Sequence, residues 1–281
     1  MTGSGDFLGS MAQSSRQRVA AASRLEPEDA LRARAEAAPL PPALVLDGCF
    51  DLIAELKLRS PAQGQLASGS DDLERRVAGY AAGGAAIVSV LTEPARFDGC
   101  LEHLARAAAV LRPLGVPAMR KDFLVDPYQL LEARAAGAGG VLLIVRMLAR
   151  DELEELAAGA AELGLFVLLE VFDEADVAIA SAVADLWRGR PADCLIGVNS
   201  RDLATLQVVP QRLEALVATL PAAHPRVAES GLATAADAAR FAAAGYTLAL
   251  VGTALMGAVD PTALARDMIA CGRAAGRGAG R

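Results

Sequence analysis

Only two of the 27 Lys plus Arg residues are lysine, Lys57 and Lys121, leaving 25 arginines (27 − 2). A surface cation can be either type. A chain that writes arginine almost everywhere and keeps lysine twice points to positions needing a compact ammonium, which partial desolvation can bring toward deprotonation while a guanidinium stays charged. Both lysines end short apolar runs, Leu52-Ile53-Ala54-Glu55-Leu56-Lys57 and Val116-Pro117-Ala118-Met119-Arg120-Lys121. Other apolar runs end in polar residues too: Ser89, Glu170, Asn199 with Arg201, and Glu229 with Ser230. Two lysines beside Glu55, Glu170 and Glu229 provide proton donors and acceptors, so the chemistry they support is general acid–base catalysis without a cofactor or a metal. Opposite charges at such positions must pair, because burying them singly is costly.

These residues need a frame that gathers strand ends. Eight apolar runs recur along the chain: Leu52–Leu56, Ala86–Leu91, Ala118–Met119, Val141–Val145, Phe166–Val171, Leu195–Val198, Arg226–Ala228 and Leu248–Val251. Helical periodicity fills the intervals, over Asp71–Ala82, Cys100–Leu114, Tyr128–Ala136, Ala149–Leu163, Glu174–Leu186, Pro210–Leu220 and Ala235–Ala244. Strands alternating with helices imply parallel pairing, and eight units in about 250 residues imply an α/β protein of the (β/α)8 TIM-barrel type. No Gly-x-Gly-x-x-Gly turn follows the first run, which disfavours a dinucleotide-binding open sheet. The predicted organisation is an N-terminal leader and helical extension over residues 1–48, a catalytic barrel over 49–270 and a flexible C-terminal tail over 271–281. Met1 to Ser15, rich in Gly and Ser, reads as loose; Gln17–Arg24 and Pro27–Ala37 read as helices.

A barrel places its site at the C-terminal ends of the strands and commonly seats phosphate in the loops after strands seven and eight. Here those loops read Glu229-Ser230-Gly231 and Val251-Gly252-Thr253-Ala254. Their glycines let backbone N–H groups approach an anion. Ser60, in the loop after the first strand, offers a further hydroxyl. The expected ligand is therefore a small phosphorylated molecule.

Composition excludes several alternatives. A formal net charge of −7 argues against nucleic acid. The only histidines are His103 and His224, too few for a histidine-rich metal site or a probable Ser-His-Asp triad. The four cysteines, Cys49, Cys100, Cys194 and Cys271, form no Cys-x-x-Cys pair and read as reduced, mostly buried thiols. No run reaches the ~18 apolar residues of a membrane span, so neither a membrane nor export is expected and a cytoplasmic location is. One sequence leaves monomer and weak homodimer equally open.

Between about Leu52 and Pro261 the chain resembles the indole-3-glycerol phosphate synthase family. The motifs are Ile53-Ala54-Glu55-Leu56-Lys57…Ser60-Pro61, Ser89-Val90-Leu91-Thr92-Glu93, Arg120-Lys121-Asp122-Phe123…Asp126-Pro127-Tyr128-Gln129, Leu169-Glu170-Val171, Ile196-Gly197-Val198-Asn199-Ser200-Arg201-Asp202-Leu203, Glu229-Ser230-Gly231 and Val251-Gly252-Thr253. The resemblance implies a carboxy-lyase of tryptophan biosynthesis that closes the indole ring of 1-(2-carboxyphenylamino)-1-deoxyribulose 5-phosphate with loss of carbon dioxide and water. It implies that Lys121 is the general acid at the substrate carbonyl, that Lys57 holds the substrate carboxylate, and that Glu170 and Glu55 are acid/base partners. Glu229 would orient a lysine; Asn199 and Arg201 would hold substrate, with Phe123 at the substrate; Ser60, Ser230, Gly231, Gly252 and Thr253 would seat the phosphate. Two other outcomes are a paralogue acting on a modified anthranilate-derived substrate and a catalytically silent barrel serving as a binding subunit. Family members place aromatic residues of the N-terminal extension over the anthranilate ring, whereas residues 11 to 49 here contain no Phe, Tyr or Trp.

Overall fold

The computed structural model describes residues 4–47, 49–60, 64–65, 72–187, 193–202, 205, 207–209 and 211–279. Eight parallel strands close into a barrel: β1 Asp51–Leu56, β2 Ile87–Leu91, β3 Ala118–Lys121, β4 Gly140–Ile144, β5 Phe166–Val171, β6 Cys194–Asn199, β7 Arg226–Glu229 and β8 Leu248–Val251, with β8 pairing back to β1. Two helices precede it, α1 Ser4–Leu25 and α2 Glu28–Ala37. The α-helices of six residues or more among those that follow the strands are α3 Leu73–Ala82, α4 Leu101–Leu111, α5 Pro127–Ala135, α6 Arg150–Glu162, α7 Glu174–Asp185, α8 Gln211–Leu216, α9 Ala235–Ala244 and α10 Pro261–Ala279. All eight predicted runs are strands, displaced by no more than two residues. Pro61, Asp71, Leu203 and Pro210, each part of a predicted motif or helix, lie outside the described residues.

Strand alternation builds two cores. Inward residues Ile53, Ile87, Met119, Leu142, Phe166, Leu168, Leu195, Val227, Leu248 and Leu250 fill the barrel. Outward residues such as Leu52, Val88, Val141, Leu169, Val198 and Ala249 pack against the helices. The same alternation points Glu55, Lys121, Glu170, Asn199 and Glu229 inward, one layer above the apolar plug. Several helices start on side chains that accept their orphan N–H groups: Asp126 for α5, Asp173 for α7, and Thr234 with Asp237 for α9.

Both chain ends differ from expectation. The leader read as loose is helical from Ser4: Leu8, Met11, Ala12 and Ser15 recur at helical spacing and are buried. Leu8 and Met11 join the barrel-mouth cluster with Phe123 and Ile144, and Gly9 faces open space, so its missing side chain leaves no gap. The expected tail is the last part of α10, which runs to Ala279; Gly280 and Arg281 lie outside the described residues. It is docked there because a Cβ on Gly272 would stand 2.2 Å from the Phe50 ring, so only glycine lets the helix lie that close. Arg273 then pairs with Asp47 and Asp51 at 2.6 Å each. All four cysteines are free, as read, but only Cys194 is buried and Cys271 is exposed.

Candidate active site

One cation stands among three anions at the C-terminal mouth of the barrel. Lys121 Nζ, at the end of β3, lies 3.5 Å from Glu55 of β1, 3.6 Å from Glu170 of β5 and 3.5 Å from Glu229 of β7. Lys57 Nζ lies 2.8 Å from the other oxygen of Glu55. Three strands thus converge on one ammonium, and Glu55 links the two lysines.

The electrostatics depart from the sequence-level expectation in one respect. Burial works to lower the pKa of Lys121, but Glu55, Glu170 and Glu229 outweigh it, so the pKa is raised and the group is firmly cationic. A depressed lysine was expected from its rarity; the surrounding carboxylates reverse the sign. Burial likewise works to raise Glu55, yet Lys57 and Lys121 hold its carboxyl at about 2. Glu229 goes the other way: burial and the adjacent Glu170 carboxylate push it well above the usual carboxylate range against the pull of Lys121.

Small residues make room for these charges. A Cβ on Gly197 of β6 would stand 2.1 Å from Glu229 Oε1, and one on Gly252 would stand 2.2 Å from Glu55 Oε1 and 3.0 Å from Lys57 Nζ. Asn199 organises the neighbouring edge. Its amide donates to Glu170 at 3.1 Å, while its carbonyl accepts from the Arg201 N–H and the Ser230 hydroxyl, both at 2.9 Å. Ser230 adopts φ 68°, uncommon for a side-chain-bearing residue, immediately before Gly231 at φ 78°. Ser200 Oγ donates to the Ser230 carbonyl at 3.1 Å and helps hold that turn. A short helix, Thr253–Gly257, begins directly after Gly252, so the N–H groups of its first turn have no intrahelical partner.

A single cavity joins three chemistries. Its floor carries Glu55, Lys57, Lys121, Glu170 and Asn199; one side carries Arg201, Ser230, Gly231, Gly252 and Thr253; the other is apolar, with Phe7, Phe97, Phe123, Leu142 and Ile144. Phe7 meets Phe123 edge-on, ring centroids 6.0 Å apart at 76°. Of the predicted site residues, eleven line this cavity: Lys121, Lys57, Glu170, Glu55, Asn199, Phe123, Arg201, Ser230, Gly231, Gly252 and Thr253. Glu229 sits just below and reaches it through Lys121. The backbone of Ser60 pairs with Gly64 in a two-residue ribbon, and its side chain lies outside the described residues. Ser89, collected with the strand-end polar residues, is mid-strand in register with Glu55, fully buried and not on the cavity.

Of the aromatic wall, sequence reasoning found Phe123 but missed Phe7 and Phe97. Phe7 lies in the stretch read as loose, although the Phe7, Leu8, Met11, Ala12, Ser15 spacing is a helical signal that glycine content masked. The aromatic sought in residues 11–49 is thus provided four positions earlier, at residue 7. Gly197 was quoted only as part of a motif; that its missing Cβ admits Glu229 is visible only once β6 and β7 are paired.

Comparison with known proteins agrees with this geometry. The chain is 39% identical over 274 residues to the indole-3-glycerol phosphate synthase of Mycolicibacterium smegmatis, covering 96% of both proteins. It is 45% identical over 217 residues to that of a Nocardioides species, covering 77% of this chain and 79% of the relative. Solved barrels superpose at low identity and bear on the fold alone. Thiamine phosphate pyrophosphorylase from Pyrococcus furiosus gives a TM-score of 0.59 at 17% identity over 81% of this chain and 98% of its own. 3-Hexulose-6-phosphate synthase from Salmonella typhimurium gives 0.57 at 15% over 80% and 100%. The family model described as indole-3-glycerol phosphate synthase matches residues 8–268, and the chain belongs to that family.

Proposed function

We propose that the protein is an indole-3-glycerol phosphate synthase acting in the cytoplasm, closing the ring of 1-(2-carboxyphenylamino)-1-deoxyribulose 5-phosphate with loss of carbon dioxide and water. The observation that carries the reading is Lys121, held by three carboxylates between an aromatic wall and two glycine-bearing turns on one cavity. No helix among the described residues is long and apolar enough to cross a membrane, in keeping with the location.

The substrate has three parts, and the cavity has a place for each. The aromatic ring packs among Phe7, Phe97 and Phe123; the ribulose chain lies over the charged floor; the phosphate meets Ser230-Gly231 and Gly252-Thr253, with Ser60 as a further candidate. Lys57 faces the ring carboxylate, and Asn199 and Arg201 hold the sugar chain.

Ring closure forms a bond from the ring carbon bearing the carboxylate to the ketone carbon, and negative charge builds on the ketone oxygen. A fixed ammonium stabilises that charge and then delivers its proton. The three carboxylates make Lys121 a weak acid at rest, so it gives up its proton to a strongly basic developing alkoxide and not to water. Carbon dioxide leaves as the carboxylate electrons restore the aromatic ring. Dehydration then needs an acid for the departing hydroxyl and a base for a proton from the adjacent carbon; Lys57, Glu55 and Glu170 share these roles, and Glu229 orients Lys121.

The test is turnover of purified protein in the presence of a chelator, following indole fluorescence and released carbon dioxide. One carbon dioxide per indole formed is the expected result. A folded protein without turnover refutes the reading.

A further inference from the structure

At the rim of the barrel mouth, a largely buried polar network joins α1 to the residues immediately after Lys121. Arg18 grips the Asp122 carboxylate with both terminal guanidinium nitrogens, Nη2 to Oδ1 at 2.7 Å and Nη1 to Oδ2 at 2.9 Å. The Asp122 side chain is fully buried and also accepts from Thr92 Oγ1 at 2.8 Å, Arg120 Nη2 at 3.2 Å and the Phe123 N–H at 2.8 Å. One turn earlier on α1, buried Ser15 donates to the Phe123 carbonyl and accepts from Gln129 Nε2 at 2.9 Å. Both backbone polar groups of Phe123 are thereby tied to this network, its N–H through Asp122 and its carbonyl through Ser15.

The far end of the same helix face carries Phe7. Positions 7, 11, 15 and 18 follow helical spacing, and Phe7 reaches the Phe123 ring that walls the cavity. The helix therefore touches Phe123 twice, by its ring near the N-terminus and by its backbone about two turns later. Leu8 and Met11 supply apolar contact along the way, but such contact is non-directional and sets no register by itself. A two-pronged arginine–carboxylate pair does have fixed geometry.

We infer that Arg18 is a positioning residue: it locks the register of α1 against Asp122 and Phe123 so that Phe7 closes the aromatic side of the cavity. It touches no reacting atom. Losing it leaves Asp122 with Thr92, Arg120 and the Phe123 N–H, and leaves Lys121 with its three carboxylates, so the effect falls on the ring subsite and not on proton transfer.

The inference rests on the reaction proposed above for its kinetic arm only. Arg18→Met, which keeps an apolar stem, is expected to raise KM at least ~10-fold with kcat within ~3-fold; Arg18→Lys is expected to fall between it and wild type, since an ammonium keeps the charge without the fork. Phe7→Ala should raise KM comparably, and the double variant should be no worse than Phe7→Ala alone, because one residue acts through the other. Independently of turnover, amide exchange across residues 7–15 should speed up in Arg18→Met while the barrel strands keep their protection. An unchanged KM, KM effects that multiply in the double variant, or unchanged exchange in α1 would overturn the inference. A wild type without turnover refutes the proposed reaction and leaves the exchange measurement to decide the role of Arg18.

Discussion

Replacing Gly197 by alanine adds one methyl group and no charge, yet it should disable the site. The Cβ would lie 2.1 Å from Glu229 Oε1 and 3.0 Å from Leu168 Cδ1, where ordinary contact begins at 3.4 Å. The carboxylate must therefore retreat by about 1.3 Å (3.4 − 2.1). Its other oxygen is one of three that hold Lys121 Nζ, at 3.5 Å, so a displacement of that size removes one leg of the tripod. Misplacement of a catalytic group by about 1 Å costs on the order of 100-fold in rate. Overpacking costs about 1–3 kcal/mol of stability, which a barrel of this size survives. Gly197 has strand geometry with no positive φ, so backbone strain makes no contribution. The assay is steady-state indole formation beside a thermal melt. A fold intact with kcat down ~100-fold is expected; kcat within ~3-fold of wild type would refute the claim that Glu229 positions Lys121.

Glu229 is raised by burial and by Glu170. A carboxyl with a raised folded pKa contributes stability that is present below its unfolded value near 4.5 and is lost as pH rises through the folded value. Glu229→Gln should therefore melt a few degrees higher than wild type at pH 8, the gap closing toward pH 4.5, while kcat falls; no gap at pH 8 would count against an upward shift of Glu229. Glu55 has the opposite sign: held at about 2 despite burial, it supports the fold above its ordinary value of 4.5 and loses that support as pH falls toward 2, worth about 3 kcal/mol. Urea unfolding of wild type should weaken over that interval, and Glu55→Gln should show a shallower slope; equal slopes would contradict the assignment.

Much of this was legible in the sequence because the governing patterns are local. Apolar runs of two to six residues alternating with helical periodicity specify parallel strands wrapped by helices, and polar residues ending those runs can only gather at the barrel mouth. The two lysines stood out because arginine filled every other cationic position. What stayed hidden depends on contacts between distant segments. Phe7 belongs to a helix that is amphipathic but rich in Gly and Ser, and its burial comes from the barrel it lands on. The last turns of α10 were read as a tail because nothing in residues 271–279 announces that Phe50 needs Gly272. The sign of the Lys121 shift follows from three carboxylates on three different strands, whose convergence is a property of the closed barrel. Arg18 looks like one of 25 arginines until Asp122 is seen beneath it.

Lys121→Arg tests the central claim most directly, through the single-turnover rate of indole formation with the substrate pre-bound. A guanidinium keeps the positive charge but cannot match a compact ammonium seated 3.5–3.6 Å from three carboxylates, nor yield its proton as readily. A positioned general acid is worth roughly 100- to 10,000-fold. The account predicts a folded variant that still binds the product and whose rate has fallen by at least ~100-fold. A variant retaining more than about a tenth of the wild-type rate would show that the proton at the ketone oxygen comes from elsewhere, and would contradict the role assigned to Lys121.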